Sequence, residues 1–147
     1  MFKIFLFLGL FFSFGASSER ENILQVLDKY NKAFGEANYS QISKLFDYPA
    51  SFNLAEKTIT AHNSFKLKLI YKKIRGDLPE YYSYSVWKKR DIMLIDSDIA
   101  IVNADFSRHK EDGSIFYSGS AQYYLRFEKN EWKIFSLTPY TNIKALY

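Results

Sequence analysis

Between Gly113 and Tyr140 the chain alternates in polarity with a period of two. Ile115, Tyr117, Tyr123, Leu125 and Phe127 share one parity within Ser114–Phe127. In Trp132–Thr138, Trp132 and Ile134 alternate with Lys133, and Phe135 and Leu137 fall on the other side. The polar turn Glu128-Lys129-Asn130-Glu131 separates the two runs. This pattern predicts two half-buried strands joined as an antiparallel hairpin. Upstream, Tyr81–Met93 and Ile99–His109 predict two more strands, with turns at Asp96-Ser97-Asp98 and Lys110-Glu111-Asp112-Gly113. In Ile99–His109 the parity Ala100, Val102, Ala104, Phe106 continues to Arg108 and is expected to face a helical layer. Asn103, Asp105 and Ser107 are expected to face outward, towards solvent or a second subunit.

The first half has a different period. Ile23, Val26, Leu27, Tyr30 and Phe34 recur at helical spacing, with Glu19 and Glu21 in the first turn, Lys32 in the last and Gly35 as a stop. A helix over Glu19 to Phe34 follows. Asn38, with Gln41 three residues on, predicts the cap of a short second helix that buries Ile42, Leu45 and Phe46 and ends by Pro49. Ala50–Leu54 and Lys57–Thr60 read as two short strands around Ala55-Glu56. A third helix is expected from about Asn63 to Arg75, with Leu67, Ile70, Tyr71 and Ile74 on one face, lysines on the other, and Gly76 and Pro79 closing it. Helices first and long strands afterwards predict an α+β domain with the helices on one face of the sheet.

Before the first helix lies Met1-Phe2-Lys3 and then an unbroken apolar run, Ile4 to Phe12, ending in the small residues Gly15-Ala16-Ser17. The run is shorter than the roughly 20 residues that span a bilayer and has the layout of a signal peptide. The expectation is therefore a signal at residues 1–17, a mature domain at 18–147, export to the periplasm or medium, and no stable membrane insertion after cleavage. A retained hydrophobic anchor is the alternative.

Composition narrows the chemistry. The 147 residues suit one domain, and none is cysteine, which excludes disulfides, a thiol nucleophile and thiolate metal sites. A net charge of +4, with its lysines scattered, gives no concentrated stripe for nucleic acid. The 14 Phe and 12 Tyr provide a large buried area, although A/T-rich codons account for their number equally well. His62 and His109 are the two histidines, and neither pairs with a carboxylate at a metal-ligand spacing. No metal, cofactor or glycine-rich phosphate loop is expected. Gly119-Ser120-Ala121 lies inside a strand and is no nucleophile elbow.

The order of elements resembles the NTF2-like, or SnoaL-like, superfamily from roughly Glu21 to Tyr140. The pieces that carry the resemblance are Leu45-Phe46-Asp47-Tyr48-Pro49-Ala50-Ser51-Phe52, Ser107-Arg108-His109-Lys110-Glu111-Asp112-Gly113 and Tyr123 to Ile134. The resemblance implies three helices packed in the concave face of a strongly curved antiparallel sheet, a cone, and an uncharacterised bacterial branch of the superfamily. That fold hosts isomerases, dehydratases, cyclases, binding proteins and dimerisation modules, so it does not assign an activity. Against ketosteroid isomerase, a member of the superfamily, the oxyanion-hole tyrosine falls on Tyr30, the oxyanion-hole aspartate on Tyr123 and the catalytic base on Leu54. A leucine takes no proton, so that activity is rejected.

What remains is a wall of donors without a base. Tyr30, Arg108 and Tyr123 are expected to point into the cone, and Phe34, Phe52, Phe106 and Trp132 to form its apolar walls. Two phenols and a guanidinium suit a carboxylate or other oxyanion. A small apolar or anionic organic ligand is one reading. The other is a dimerisation or protein-interaction module without a ligand, marked by a filled cone and an apolar outer face. A homodimer through the sheet is expected in either case. The competing structural roles are a core Tyr30 bonded to a backbone carbonyl and an Arg108 paired with a carboxylate such as Asp47 or snorkelling out of the cone's rim.

Overall fold

The computed structural model describes residues 18–94 and 96–140. The apolar segment read as an export signal lies outside them. The elements run α1 (Glu19–Gly35), α2 (Tyr39–Lys44), β1 (Phe46–Asn53), β2 (Thr58–Ala61), α3 (Ser64–Gly76), β3 (Tyr84–Leu94), β4 (Ile99–His109), β5 (Ile115–Glu128) and β6 (Glu131–Tyr140). The chain is α+β, as its two periodicities predict.

Each helix starts at a side-chain cap. Ser18 and Glu21 form a reciprocal capping box, Asn38 Oδ1 accepts from the Gln41 amide at 3.0 Å, and Asn63 Oδ1 accepts from the Lys66 amide at 2.9 Å. Without these acceptors the first-turn amides would lack partners.

The six strands form one sheet in the order β2-β1-β6-β5-β4-β3. The sheet is mixed rather than wholly antiparallel, because β1 runs parallel to β6. Register shifts leave Lys88 of β3, Phe116 of β5 and Phe135 of β6 as extra residues in their ladders, and such bulges bend and twist a sheet. The helices pack against the inner face of that bend.

Three local expectations change. Leu45 and Phe46 do not belong to α2: Leu45 caps it, and Phe46 opens β1 opposite Ile134. Pro49 does not mark a helix end but sits inside β1, where the β1–β6 register is interrupted between Phe46 and Ser51 and no amide is required of it. Ser107 faces away from the helices yet is fully buried, with its hydroxyl bonded to His109 at 2.8 Å.

The core is aromatic. Tyr30 of α1 is in ring contact with Phe34, Phe46, Tyr71 and Tyr123, at centroid separations of 5.7 to 6.3 Å. Most of these pairs are edge-to-face, the arrangement that aromatic quadrupoles favour. Small residues line the inner face of the sheet at Ala100, Ala104 and Ala121. Where larger side chains replace them, towards the C-terminal end of β4, the interior opens.

Candidate functional site

That opening is a cavity of about 450 Å³. It lies between the C-terminal half of α1, one face of α3 and residues from all six strands, Ile59 of β2 among them. The alternation of β4 aims Phe106 and Arg108 into it, β5 contributes Ala121 and Tyr123, and β6 contributes Leu137 and Pro139. Phe52 and Leu54 come from the end of β1, and Ser85 and Trp87 from the start of β3. Tyr30, Asn31 and Phe34 descend from α1, and Ile70, Tyr71 and Ile74 from α3.

Six of the seven residues expected at the site are brought together here: Tyr30, Phe34, Phe52, Phe106, Arg108 and Tyr123. Trp132 is not. Its parity is the inner one, but it sits at the opposite end of β6, roughly 17 Å from Leu137 at the usual rise per residue. There it packs on Phe127 and donates its indole N–H to Glu19 Oε2 at 2.7 Å, fastening the first turn of α1. Tyr71 and Trp87 line the cavity and were not among the expected residues.

The tyrosines form a connected group. Tyr71 donates its hydroxyl to that of Tyr30 at 3.2 Å, and the Tyr123 ring stands 5.7 Å from Tyr30 on the sheet side. Burial holds the Tyr71 and Tyr123 phenols well above the ordinary tyrosine value. Tyr30 is also raised by burial, while its hydrogen bonds to Tyr71 and Tyr123 and the Arg108 charge pull it partly back. All three are therefore neutral donors at physiological pH.

Arg108 is positioned by aromatic faces. Its guanidinium carbon lies 4.9 Å from the Tyr117 ring centroid, 5.4 Å from Phe106 and 5.9 Å from Phe34. Asp47, the partner considered for it, is taken by Arg126 at 2.7 Å. Arg90 pairs with Asp28 at 2.6 Å, and Arg75 donates to the carbonyls of Phe34 and Gly35. Two buried side-chain donors have no partner among the described residues, Arg108 Nε and Trp87 Nε1, and both residues line the cavity.

The chemistry of the wall is that of binding. Leu54, where ketosteroid isomerase carries its base, does reach the wall and brings no proton acceptor. Asp77 is the one carboxylate lining the cavity among the described residues, and it is already paired with Lys73 at 2.8 Å. His109 is turned to Ser107 and Gly113, stacked on Tyr84, and does not reach the cavity. Among the described residues no three His, Asp or Glu converge as a metal site, and no helix is long and apolar enough to cross a membrane.

Comparison with known proteins agrees with this architecture. The family described as "NTF2-like protein (DUF6841)" matches residues 19–142. A protein of unknown function with a cystatin-like fold from Nostoc punctiforme superposes with a TM-score of 0.72 at 9% identity, over 85% of this chain and 93% of that one. An NTF2-like protein from Cytophaga hutchinsonii gives 0.67 at 14% identity, over 86% and 100%. An NTF2-like protein of unknown function from Shewanella oneidensis gives 0.66 at 12% identity, over 83% and 98%. Identities this low speak to the fold alone. No curated protein matches the chain.

Proposed function

The chain belongs to the NTF2-like protein family (DUF6841), and from that premise we propose that it binds a small, mainly apolar organic molecule inside its cone. The observation that carries this reading is the 450 Å³ cavity, continuous from Phe52 to Arg108 and walled mostly by aromatic and aliphatic side chains. That volume and lining are typical of small-molecule sites. The reading as an interaction module without a ligand calls for a filled cone and an apolar outer face. Its position is weaker, because the interior is hollow and the outer face carries polar pairs. Gln122 donates to Asn103 at 2.9 Å, Ser120 to Asp105 at 2.6 Å, and Asn53 to Ser136 and Thr138 at 2.9 and 3.0 Å.

Titration calorimetry with a neutral ring compound, 2-naphthamide, tests the proposal. Saturable binding to one site is expected in the wild type and its loss in Ala121→Phe, which fills the cavity from β5. Absence of saturable binding, or unchanged binding in a folded Ala121→Phe protein, overturns it. Export is proposed on the apolar run Ile4 to Phe12. A mature protein whose mass retains Met1 overturns that part.

A further inference from the structure

Resting on that reading of the cone, we propose that its ligand is a cyclic monocarboxylate whose carboxylate lies between Arg108 and Trp87 while its ring occupies the aromatic cavity.

The two unpartnered donors are the starting point. A buried donor without an acceptor costs about 1 to 3 kcal/mol, and more when it is charged. Such groups are therefore rare, and each calls for an explanation. Here the two that occur among the described residues belong to side chains that line one cavity. The strand register also places them together. Ser85 stands opposite Arg108, and Trp87 opposite Phe106, so Arg108 and Trp87 are diagonal neighbours on the inner face. Diagonal neighbours lie roughly 7 to 8 Å apart, with their Cβ atoms somewhat closer, within reach of side chains this long.

Charge and shape select the group. The wall offers one guanidinium with no carboxylate beside it, because Asp47 is committed to Arg126 and Asp77 to Lys73, while Lys57, the remaining lining cation, is exposed. That suits a single negative charge. Arginine presents its donors in a plane that matches the two oxygens of a carboxylate, and the indole N–H adds a third donor. Inorganic phosphate has no apolar body to fill the ring-lined part of the cavity. Phe34 and Phe106, with Tyr123 and Phe52, supply apolar faces for a cyclic body.

Calorimetric titration of the full chain with 2-naphthoate, 2-naphthamide and inorganic phosphate decides the matter. Naphthoate is expected to bind about ten-fold more tightly than the amide, the scale of one charge-assisted hydrogen bond, and phosphate not at all. Arg108→Met is expected to erase the preference for the acid, weakening naphthoate binding far more than naphthamide binding. Trp87→Phe is expected to shrink the preference several-fold. Should Arg108→Met fail to fold, as judged by circular dichroism, Trp87→Phe carries the test alone. Equal binding of acid and amide, a preference that survives both substitutions, or phosphate binding as tight as naphthoate overturns the carboxylate assignment and leaves the small-molecule reading intact. Failure of both ring compounds to bind overturns the two together.

Discussion

The Tyr71 hydroxyl donates to the Tyr30 hydroxyl across 3.2 Å, inside a cluster of aromatic rings that offers few other polar atoms. This bond ties α3 to α1 from within the cone. Removing the donor costs the Tyr30 oxygen one of its partners in an apolar setting. Tyr71→Phe is therefore expected to lower stability by about 1 kcal/mol, the usual net value of one buried hydrogen bond. Urea unfolding checks this, with a lower midpoint and an unchanged slope expected.

The same cluster makes the protein sensitive to alkali. The folded-state values of Tyr30, Tyr71 and Tyr123 are raised by burial, and that of Tyr48, whose hydroxyl donates to the Ser43 carbonyl at 2.7 Å, is pushed up to about 12. Unfolded tyrosines ionise near the ordinary value of about 10, whereas the folded ones stay protonated. Below that value both states hold the proton and stability is unaffected. Above it the unfolded chain binds fewer protons, so stability falls as pH rises. Each fully buried phenol contributes a slope of up to about 1.4 kcal/mol per pH unit. Unfolding midpoints at pH 9, 10 and 11 are expected to fall steeply over the last step, and less steeply in Tyr71→Phe.

How much of this was legible in the sequence follows from which signals are local. Parity along β4 and β5 is local, and it placed Phe106, Arg108 and Tyr123 on the inner face. Helical spacing did the same for Tyr30 and Phe34. Parity says nothing about how far along the cone a residue sits, which is why Trp132 has the right face and the wrong end. Trp87 was hidden because the bulge after it breaks the alternation of β3, with Lys89 rather than Lys88 facing Asp105. Tyr71 stood on the correct stripe of α3, but a stripe does not distinguish a core contact from a cavity wall. The parallel pairing of β1 with β6 joins segments about 85 residues apart, as in the Ser51–Ser136 hydrogen bond, and no local pattern encodes it.

Gly119 makes room for the platform under Arg108. A Cβ at this position would stand 2.7 Å from the Tyr117 ring and 3.0 Å from Phe106, closer than atoms tolerate. Both rings lie against the guanidinium. Gly119→Ala is expected to displace Tyr117 and to destabilise the fold by about 1 to 3 kcal/mol, the range for overpacking. It should also weaken naphthoate binding more than naphthamide binding. Chemical denaturation and the paired titrations measure the two effects separately.

Trp132 and Glu19 yield the converse expectation. Their 2.7 Å hydrogen bond holds the first turn of α1 to the start of β6, at the end of the sheet away from the cavity. Glu19→Gln keeps an acceptor oxygen but removes its charge, and both a charge-assisted bond and an acidic first turn favour the native state. A loss of about 1 kcal/mol is expected, with urea unfolding as the measure. Trp132→Phe removes the donor and should destabilise by a similar or larger amount while leaving ring-compound affinity unchanged. It also leaves Trp87 as the sole indole, so quenching of the remaining fluorescence by a bound acid would report on the cavity wall directly. If Trp132→Phe weakens ligand binding in the folded protein, the two ends of the cone are coupled and the separation between fastening and binding fails.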